Sequence, residues 1–522
     1  MKKIFSIALT GICLFSATSC KKYLDVNDNP NLPTAATPAL VLPQALTATA
    51  ALIVNTGDFN TYGSELNGYF GNAGGFGSLG PLISYAFTTG DKNGLFNNTY
   101  DNLEDYQYII DNPASNSAYI AIANVMKAYD FQLLVDTYND VPYTEALKGL
   151  GKLQPKYDKG ADIYKDLGDK LDAAITVLNT AASEKTLENA DVMFRGDLKK
   201  WAQFANTLKL RLILRAGGKV NFTKPTPDAT AGFLTADAAV NPGTKISPIG
   251  YTKVLGKQNP LWDKWAFSET GGARTAGAVY LASPYFLAFF DGTKLVDDNR
   301  GLAYFFNYNG TNTAKNRLGY TEANAPKAPT PVFFYANSAR DEGYIGVLKG
   351  ETQDQPLILA SESYFLQAEA NVRGIVTGTA ATNFNAGIKA SFTYLYTNAN
   401  NTVVGPVDAD YATYLDDNSG SRLVNFNLAT TTEQKVEAII TQKYIALAFQ
   451  FGHETWSEYR RTGYPAITGN TATTTFASIV SQSTAPDKLP TRILYPVSEF
   501  TYNSSNVPSG ISPYTSKIFW AK

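Results

Sequence analysis

Apolar residues recur at helical spacing in two blocks of this 522-residue chain, about 39–220 and 357–465, but not between them. From 221 to about 356, Pro, Gly, Thr, Asn and aromatic residues replace the pattern, and strand signals are few and short. This spacing predicts an all-α, mostly helical fold with a long loop-rich insertion. Helices are predicted at 40–55, 97–111, 117–136, 158–178, 197–216, 361–373 and 382–395, and from 431 to about 451.

Polar residues at the ends of these segments indicate where helices begin and stop. Asp197 is a good N-cap, and Gly217-Gly218 supplies the left-handed backbone that closes many helices. Thr430 followed by Glu433 predicts a capping box. The Gly-, Asn- and aromatic-rich stretch 63–80 is predicted to be a loop, and the tail from about 466 is irregular.

The first twenty residues have the pattern of an export signal that ends on a cysteine. A basic start is followed by an apolar run too short for a permanent span and by small residues before Cys20. A cysteine at the first mature position is typical of a bacterial lipobox, in which the thiol takes a diacylglyceryl group. We therefore predict a signal peptide at 1–19, a lipidated tether at 20–38 and a single domain at 39–522.

The amino-acid composition excludes several classes of function for this chain. Charged residues make up 17% of the chain and the formal net charge is −2, which argues against a nucleic-acid-binding protein. The two cysteines are Cys13, inside the signal, and Cys20, so the mature chain has no disulfide. The single histidine, His453, rules out a two-histidine zinc motif and favours a hydrogen-bonded structural role. We predict no catalytic residue, cofactor or metal ligand, although paired carboxylates for glycoside hydrolysis stay open.

Aromatic residues supply the candidate ligand contacts. Tyr and Trp combine an apolar face with a polar edge, which suits docking on sugars. Two tryptophans lie in a Pro/Gly-bounded loop, where they could stack on sugar rings while neighbouring polar groups bind hydroxyls. The first set of candidates is Tyr251, Trp262, Asp263, Lys264 and Trp265. Phe76 and Tyr85, in and just after the Gly-rich stretch, form the second.

Seven sequence blocks, in order along nearly the whole mature chain, carry a resemblance to a known family. They are 20–27 (CKKYLDVN) with Asn29-Pro30-Asn31, 136–143 (DTYNDVPY), 201–208 (WAQFANTL), 364–370 (YFLQAEA) with Arg373-Gly374, 442–447 (QKYIAL), 454–465 (ETWSEYRRTGYP), and 492–496 (RILYP) with Glu499. With these blocks the chain resembles the SusD/RagB-type nutrient-binding lipoproteins of the Bacteroidetes outer membrane.

The resemblance implies four tetratricopeptide-like helix pairs and a lipid-anchored position on the cell surface. It also implies a partner, a SusC-type TonB-dependent outer-membrane transporter, and a ligand that is an oligosaccharide or a peptide. It transfers no ligand-contacting residue, because such contacts lie on variable loops. Trp456, Arg460 and Arg461 are interpreted as fixing a helix end. The alternatives are an extracellular lipoprotein enzyme, such as a glycoside hydrolase, and a purely structural transporter lid.

Overall fold

Helix follows helix along both ends of the chain, as the apolar spacing predicts. The structure is a computed structural model, and it describes residues 36–73, 80–243, 249–305, 308, 317–319 and 345–522. The helices before residue 220 in these ranges are α1 (Pro38–Val54), α2 (Phe59–Leu66), α3 (Pro81–Ser84), α4 (Gly94–Asp111), α5 (Ser117–Tyr138), α6 (Gly160–Leu178), α7 (Lys185–Ala190) and α8 (Leu198–Ala216).

The predicted insertion is less irregular than its sequence suggests, because it contains short helices. They are α9 (Pro260–Trp265), α10 (Thr275–Val279), α11 (Pro284–Leu287) and α12 (Asp298–Tyr304). The remaining helices are α13 (Ala360–Val372), α14 (Ala380–Tyr396), α15 (Val407–Asp417), α16 (Thr432–Ala446), α17 (Gly452–Thr462) and α18 (Val497–Tyr502). The sequence did not predict α15 or α18, or α17 as a helix separate from α16.

The predicted helix caps can be compared with the structure one by one. The Asp197 side chain accepts a hydrogen bond from the Lys200 amide, and Gly217 adopts φ +57° after α8, so both predictions are confirmed. The capping box lies one residue later than predicted, on Thr431 and Gln434. Three threonines, 430–432, stand in a row there, and the sequence alone does not say which one caps the helix.

The helices pack as pairs of neighbours along the chain. Helix α4 packs on α5, α5 on α6, α6 on α8, and α13 on both α14 and α16. Two further contacts join the two halves of the chain, α8 on α13 and α2 on α17. The described residues from Pro38 onward form one compact unit, with one main apolar core that reaches from Leu42 to Trp520. The mostly helical, tetratricopeptide-containing fold predicted from the sequence is confirmed.

Short strands attach the insertion to the helical blocks. Strand β1 (Phe70–Asn72) pairs antiparallel with β5 (Tyr280–Ala282), in the register Gly71 to Leu281. Strands β2 (Val141–Pro142) and β3 (Tyr157–Asp158) pair, as do β4 (Ala238–Val240) and β6 (Gln355–Ile358). The prediction that 63–80 is all loop is therefore wrong for α2 and β1. Every residue of both elements is buried, so they belong to the core.

Two glycines allow α2 and α17 to approach backbone to backbone. A Cβ on Gly63 would lie 2.1 Å from the carbonyl carbon of Gly452, and one on Gly452 would lie 2.4 Å from the Asn60 carbonyl oxygen. Both distances are too short for a side chain, so the contact requires glycine at both positions. The Asn60 side chain adds a hydrogen bond of 2.8 Å to the Phe449 carbonyl oxygen.

Among the described residues, the stretch Pro38–Leu66 is long and apolar enough to cross a membrane by composition alone. It consists of two helices separated by a turn, and both pack into the core: α1 against α4 and α2 against α17. We therefore interpret it as core, since core helices of globular proteins pass the same test.

Candidate functional site

The structure places the two predicted stacking tryptophans in the core. Trp262 is 4% exposed and Trp265 is 3% exposed, and both lie on α9. The Trp265 ring packs 5.3 Å from Phe70 and 5.7 Å from Tyr280, on the paired strands β1 and β5. The rings therefore do not form an open stacking surface in this structure, and their contact with a ligand stays a prediction.

The polar candidates nearby are engaged with the protein. Asp263 pairs with Arg274, and Lys264 pairs with Asp58. Tyr251 is 6% exposed, and burial raises its pKa well above the usual range, so the phenol keeps its proton. These pairs fix α9 in place, which is a structural role that the sequence did not indicate.

Tyr85, just after the Gly-rich stretch, is also buried. The other two predicted residues, Phe76 and Cys20, lie outside the described residues. The hydroxyl of Tyr85 accepts a hydrogen bond of 3.1 Å from the Ser478 amide. Next to it, the Gln482 amide donates to the Ser84 carbonyl at 2.9 Å, and the Ile479 amide donates to the Leu318 carbonyl at 3.1 Å. Three distant segments, 80–85, 317–319 and 478–482, therefore meet. We name them the loop-base surface.

The loop-base surface presents aliphatic side chains on backbone segments that hydrogen bonds hold together. Ile479 and Val480 are 47% and 42% exposed, and Leu82 and Ile83 are half-buried. Below them, the guanidinium of Arg317 donates to the carbonyl oxygens of Ala477 and Asn470, at 2.8 and 3.0 Å. Such an exposed apolar strip, anchored by hydrogen bonds, is typical of surfaces that bind a ligand's apolar face.

A buried network of ion pairs ties several of the long helices together. Arg215 on α8 is fully buried and contacts Asp136 of α5 and Glu454 of α17, both at 2.5 Å. It also reaches Glu458, one turn further along α17, at 3.1 Å. One guanidinium thus ties three helices together. Tyr164 and the indole N–H of Trp520 add hydrogen bonds to Asp136, the latter at 2.9 Å.

The same network continues to α13 and α16. Arg211 pairs with Glu362 at 2.9 Å, and Lys443 lies 3.1 Å from both Glu362 and Glu458. Arg461 binds both carboxylate oxygens of Glu369 at 2.7 Å. The network brings four cations together with five carboxylates: Arg211, Arg215, Lys443 and Arg461 with Asp136, Glu362, Glu369, Glu454 and Glu458.

The protonation of the network follows from its geometry. Burial alone would raise the pKa of Glu454, but the nearby Arg211 and Arg215 guanidiniums hold it well below its usual range. The pKa of Glu458 is held well below its usual range in the same way, against burial, by Arg461 and Lys443. Glu454 and Glu458 are therefore ionised and paired, so this cluster has the character of a structural clamp rather than of a catalytic acid.

His453 differs from the prediction in one respect. It is buried, as expected of a structural histidine, but neither ring nitrogen has a hydrogen-bond partner, so the expected hydrogen bonds are absent. Phe59 and Phe451 surround the ring at 6.0 and 6.1 Å, and burial lowers its pKa to about 4. The imidazole of His453 is therefore neutral and lies between aromatic side chains.

The interpretation that Trp456, Arg460 and Arg461 fix a helix end is supported by the contacts of the two arginines, but not by Trp456, whose indole N–H has no hydrogen-bond partner. Arg461 holds Glu369 of α13, and Arg460 donates to the carbonyls of Asp136 and Thr491 at 2.8 and 3.2 Å. Among the described residues, no three His, Cys, Asp or Glu side chains are grouped so that they could hold a metal ion.

Comparison with known proteins identifies the class to which this fold belongs. A SusD homologue from Bacteroides fragilis is 20% identical, with a TM-score of 0.66 over 94% of this chain and 100% of that one. A chitin-binding SusD homologue from Flavobacterium johnsoniae is 22% identical, with a TM-score of 0.65 over 92% and 97%. A SusD/RagB family protein from Bacteroides thetaiotaomicron is 20% identical, with a TM-score of 0.66 over 93% and 99%.

The family assignment rests on the sequence itself. The family described as SusD-like, starch-binding and associating with the outer membrane matches residues 30–496. The chain therefore belongs to the SusD-like family, and the resemblance carried by the seven sequence blocks is confirmed. A comparison with curated protein sequences found no match.

Proposed function

We propose that this chain is a non-catalytic, lipid-anchored binding protein that captures oligosaccharide at the outer membrane and delivers it to a SusC-type TonB-dependent transporter. The observation that carries the proposal is the family match over 30–496, since that family is described as starch-binding and associating with the outer membrane. A relative of the same fold is described as chitin-binding, which supports a glycan as the class of ligand.

The loop-base surface is our candidate for the first contact with glycan. Its exposed Ile479 and Val480 offer an apolar strip for the C–H faces of sugar rings. The segments beneath it are joined by backbone hydrogen bonds. A binder of this kind needs a preorganised surface and no chemistry, which fits the paired acids of the buried ion-pair network.

Acylation of Cys20 would keep the protein at the membrane. Two or three acyl chains give stable anchoring, at about 0.8 kcal/mol for each buried methylene. The stretch 20–38 would then act as a tether that holds the binding domain beside the transporter.

Pull-down of the tagged full-length protein from detergent-solubilised outer membrane tests the delivery step. We expect a TonB-dependent β-barrel to co-purify, and its absence would refute a transporter partner. An unrelated outer-membrane lipoprotein with the same tag is the control.

Retention on immobilised starch and chitin, beside a peptide panel, tests the ligand class. Retention on glycan alone supports the proposal, and retention on peptides alone replaces oligosaccharide with peptide. Binding to neither would favour a purely structural lid. Cleavage of glycan that disappears on mutation of an acidic residue would favour the glycoside hydrolase alternative.

A further inference from the structure

A cavity of about 500 Å³ lies between α17 and the C-terminal tail. Its wall includes Trp456, Tyr459, Ala485, Asp487 and Tyr514. The volume falls within the range of about 300–1,000 Å³ that is typical of small-molecule sites. The ligand contacts predicted from the sequence do not include any of these side chains. No residue of the ion-pair network lines the cavity.

The cavity adjoins the loop-base surface. The hydroxyl of Tyr514, which lines the cavity, donates to the Tyr85 carbonyl at 3.0 Å. The cavity-lining residues Thr484 and Ala485 come one residue after the segment 478–482. An oligosaccharide bound on the loop-base surface would therefore have one of its ends close to the cavity.

Trp456, one of the wall residues, has an unused hydrogen-bond donor. The side chain is 1% exposed, and its indole N–H has no hydrogen-bond partner. Its ring stacks on Tyr459, with 5.7 Å between centroids and 11° between planes, while the Arg460 guanidinium lies 5.3 Å from the indole. A buried donor without a partner is unfavourable, so a ligand acceptor that reaches the indole N–H would gain more than one bound on the open surface.

Asp487 supplies the complementary acceptor. It is half-buried, and it accepts from the Tyr459 hydroxyl and from the Leu489 amide, both at 3.1 Å. An ionised carboxylate has about four acceptor positions, so it can still accept ligand hydroxyls. A ligand that satisfies both groups must offer an acceptor to the indole and donors to the carboxylate. Neutral sugars do both with the same hydroxyl groups.

We propose that this cavity binds the terminal residues of a neutral oligosaccharide, with the Trp456 indole N–H donating to a sugar oxygen and Asp487 accepting from a sugar hydroxyl. The glycan class of this ligand rests on the proposed function. The site itself rests on the cavity, the unpartnered indole and the carboxylate.

The indole N–H signals of the full mature chain, labelled with ¹⁵N-tryptophan, test the proposal by NMR titration with maltotriose and with chitotriose. The chain has five tryptophans. One is an internal control, because the indole of Trp201 already donates to Asp191 at 2.8 Å and does not line the cavity. We expect a saturable shift of the Trp456 signal while the signal of Trp201 stays in place.

Three variants make the assignment specific. Trp456→Phe identifies the signal and removes the N–H together with part of the indole ring, so we expect sugar binding at least roughly three- to tenfold weaker. Ala485→Phe fills the cavity and should abolish binding there. Ala114→Phe, at an exposed position between α4 and α5, is the matched control and should bind as the unmodified chain does.

The outcomes separate this inference from the proposed function. A Trp456 signal that does not move while the chain is retained on starch or chitin overturns the cavity site and leaves glycan capture standing. A shift without retention on polysaccharide supports the site and refutes capture. If neither is observed, both proposals fail.

Discussion

Replacing Arg215 with methionine tests whether the buried ion pairs hold the helical frame together. The change keeps most of the side-chain length but removes the cation that contacts Asp136, Glu454 and Glu458. Removing one partner of a buried pair typically lowers the free energy of unfolding by about 3–5 kcal/mol, because the remaining charge stays desolvated. Three carboxylates lose a partner here, so we expect at least the upper part of that range.

The expected shift in melting temperature follows from the size of the unit. At about 2.1 cal/mol/K for each residue, a unit of roughly 500 residues has an unfolding entropy near 1 kcal/mol/K. A loss of about 4–5 kcal/mol therefore lowers Tm by about 4–5 °C in differential scanning calorimetry. The control is Lys389→Met, which breaks an exposed pair with Asp408 and should shift Tm by less than about 1 °C.

The dependence on pH gives a second readout of the same variant. Because the pKa values of Glu454 and Glu458 are depressed in the folded chain, their contribution to stability is present above pH about 4.3 and lost as pH falls below it. The difference between Arg215→Met and the unmodified chain should therefore shrink on acidification. If Arg215→Met melts within 1 °C of the Lys389→Met control, the network does not hold the frame and the reasoning is wrong.

Three further predictions concern the anchor, a backbone contact and a buried acid. Cys20→Ala should release the protein from the membrane fraction without changing its circular dichroism; retention there would refute lipid anchoring. Gly63→Ala should lower the free energy of unfolding by about 1–3 kcal/mol, since its Cβ meets the Gly452 backbone, while Gly420→Ala, which meets nothing within 4 Å, should not. Burial raises the pKa of Asp130 to about 8, so the unmodified chain loses stability as pH rises from about 4 to 8. The stability gain of Asp130→Asn in urea titrations should therefore be larger at pH 8 than at pH 5; equal gains would contradict this.

The sequence predicted the helices best where one face alone is apolar. Helix α6 buries Ile163, Leu167 and Leu171, which follow the predicted spacing. Helix α15 buries only Tyr414, so it lacks the stripe that the prediction relies on. Helix α8 shows a further limit. Its charged residues Arg211 and Arg215 would ordinarily be assigned to the surface, yet they are buried because α8 packs against both α6 and α13.

The candidate ligand residues were harder to predict, because their burial depends on pairing between distant segments. Trp262 and Trp265 stand in a short Pro/Gly-bounded stretch that has the composition of a surface loop. The pairing of β1 with β5 places Phe70 and Tyr280 against Trp265, and no local sequence pattern predicts that contact. The cavity around Trp456 was missed for the same reason, since its walls come from α17 and from the tail.

Equilibrium binding of the full mature chain to glycans tests the central claim most directly. Isothermal titration with soluble starch and with chitin oligosaccharides, beside a panel of peptides, measures both ligand classes under one condition. We expect saturable binding to at least one glycan and none to the peptides. Binding to no glycan, or to peptides alone, would contradict the claim that this SusD-like protein captures oligosaccharide.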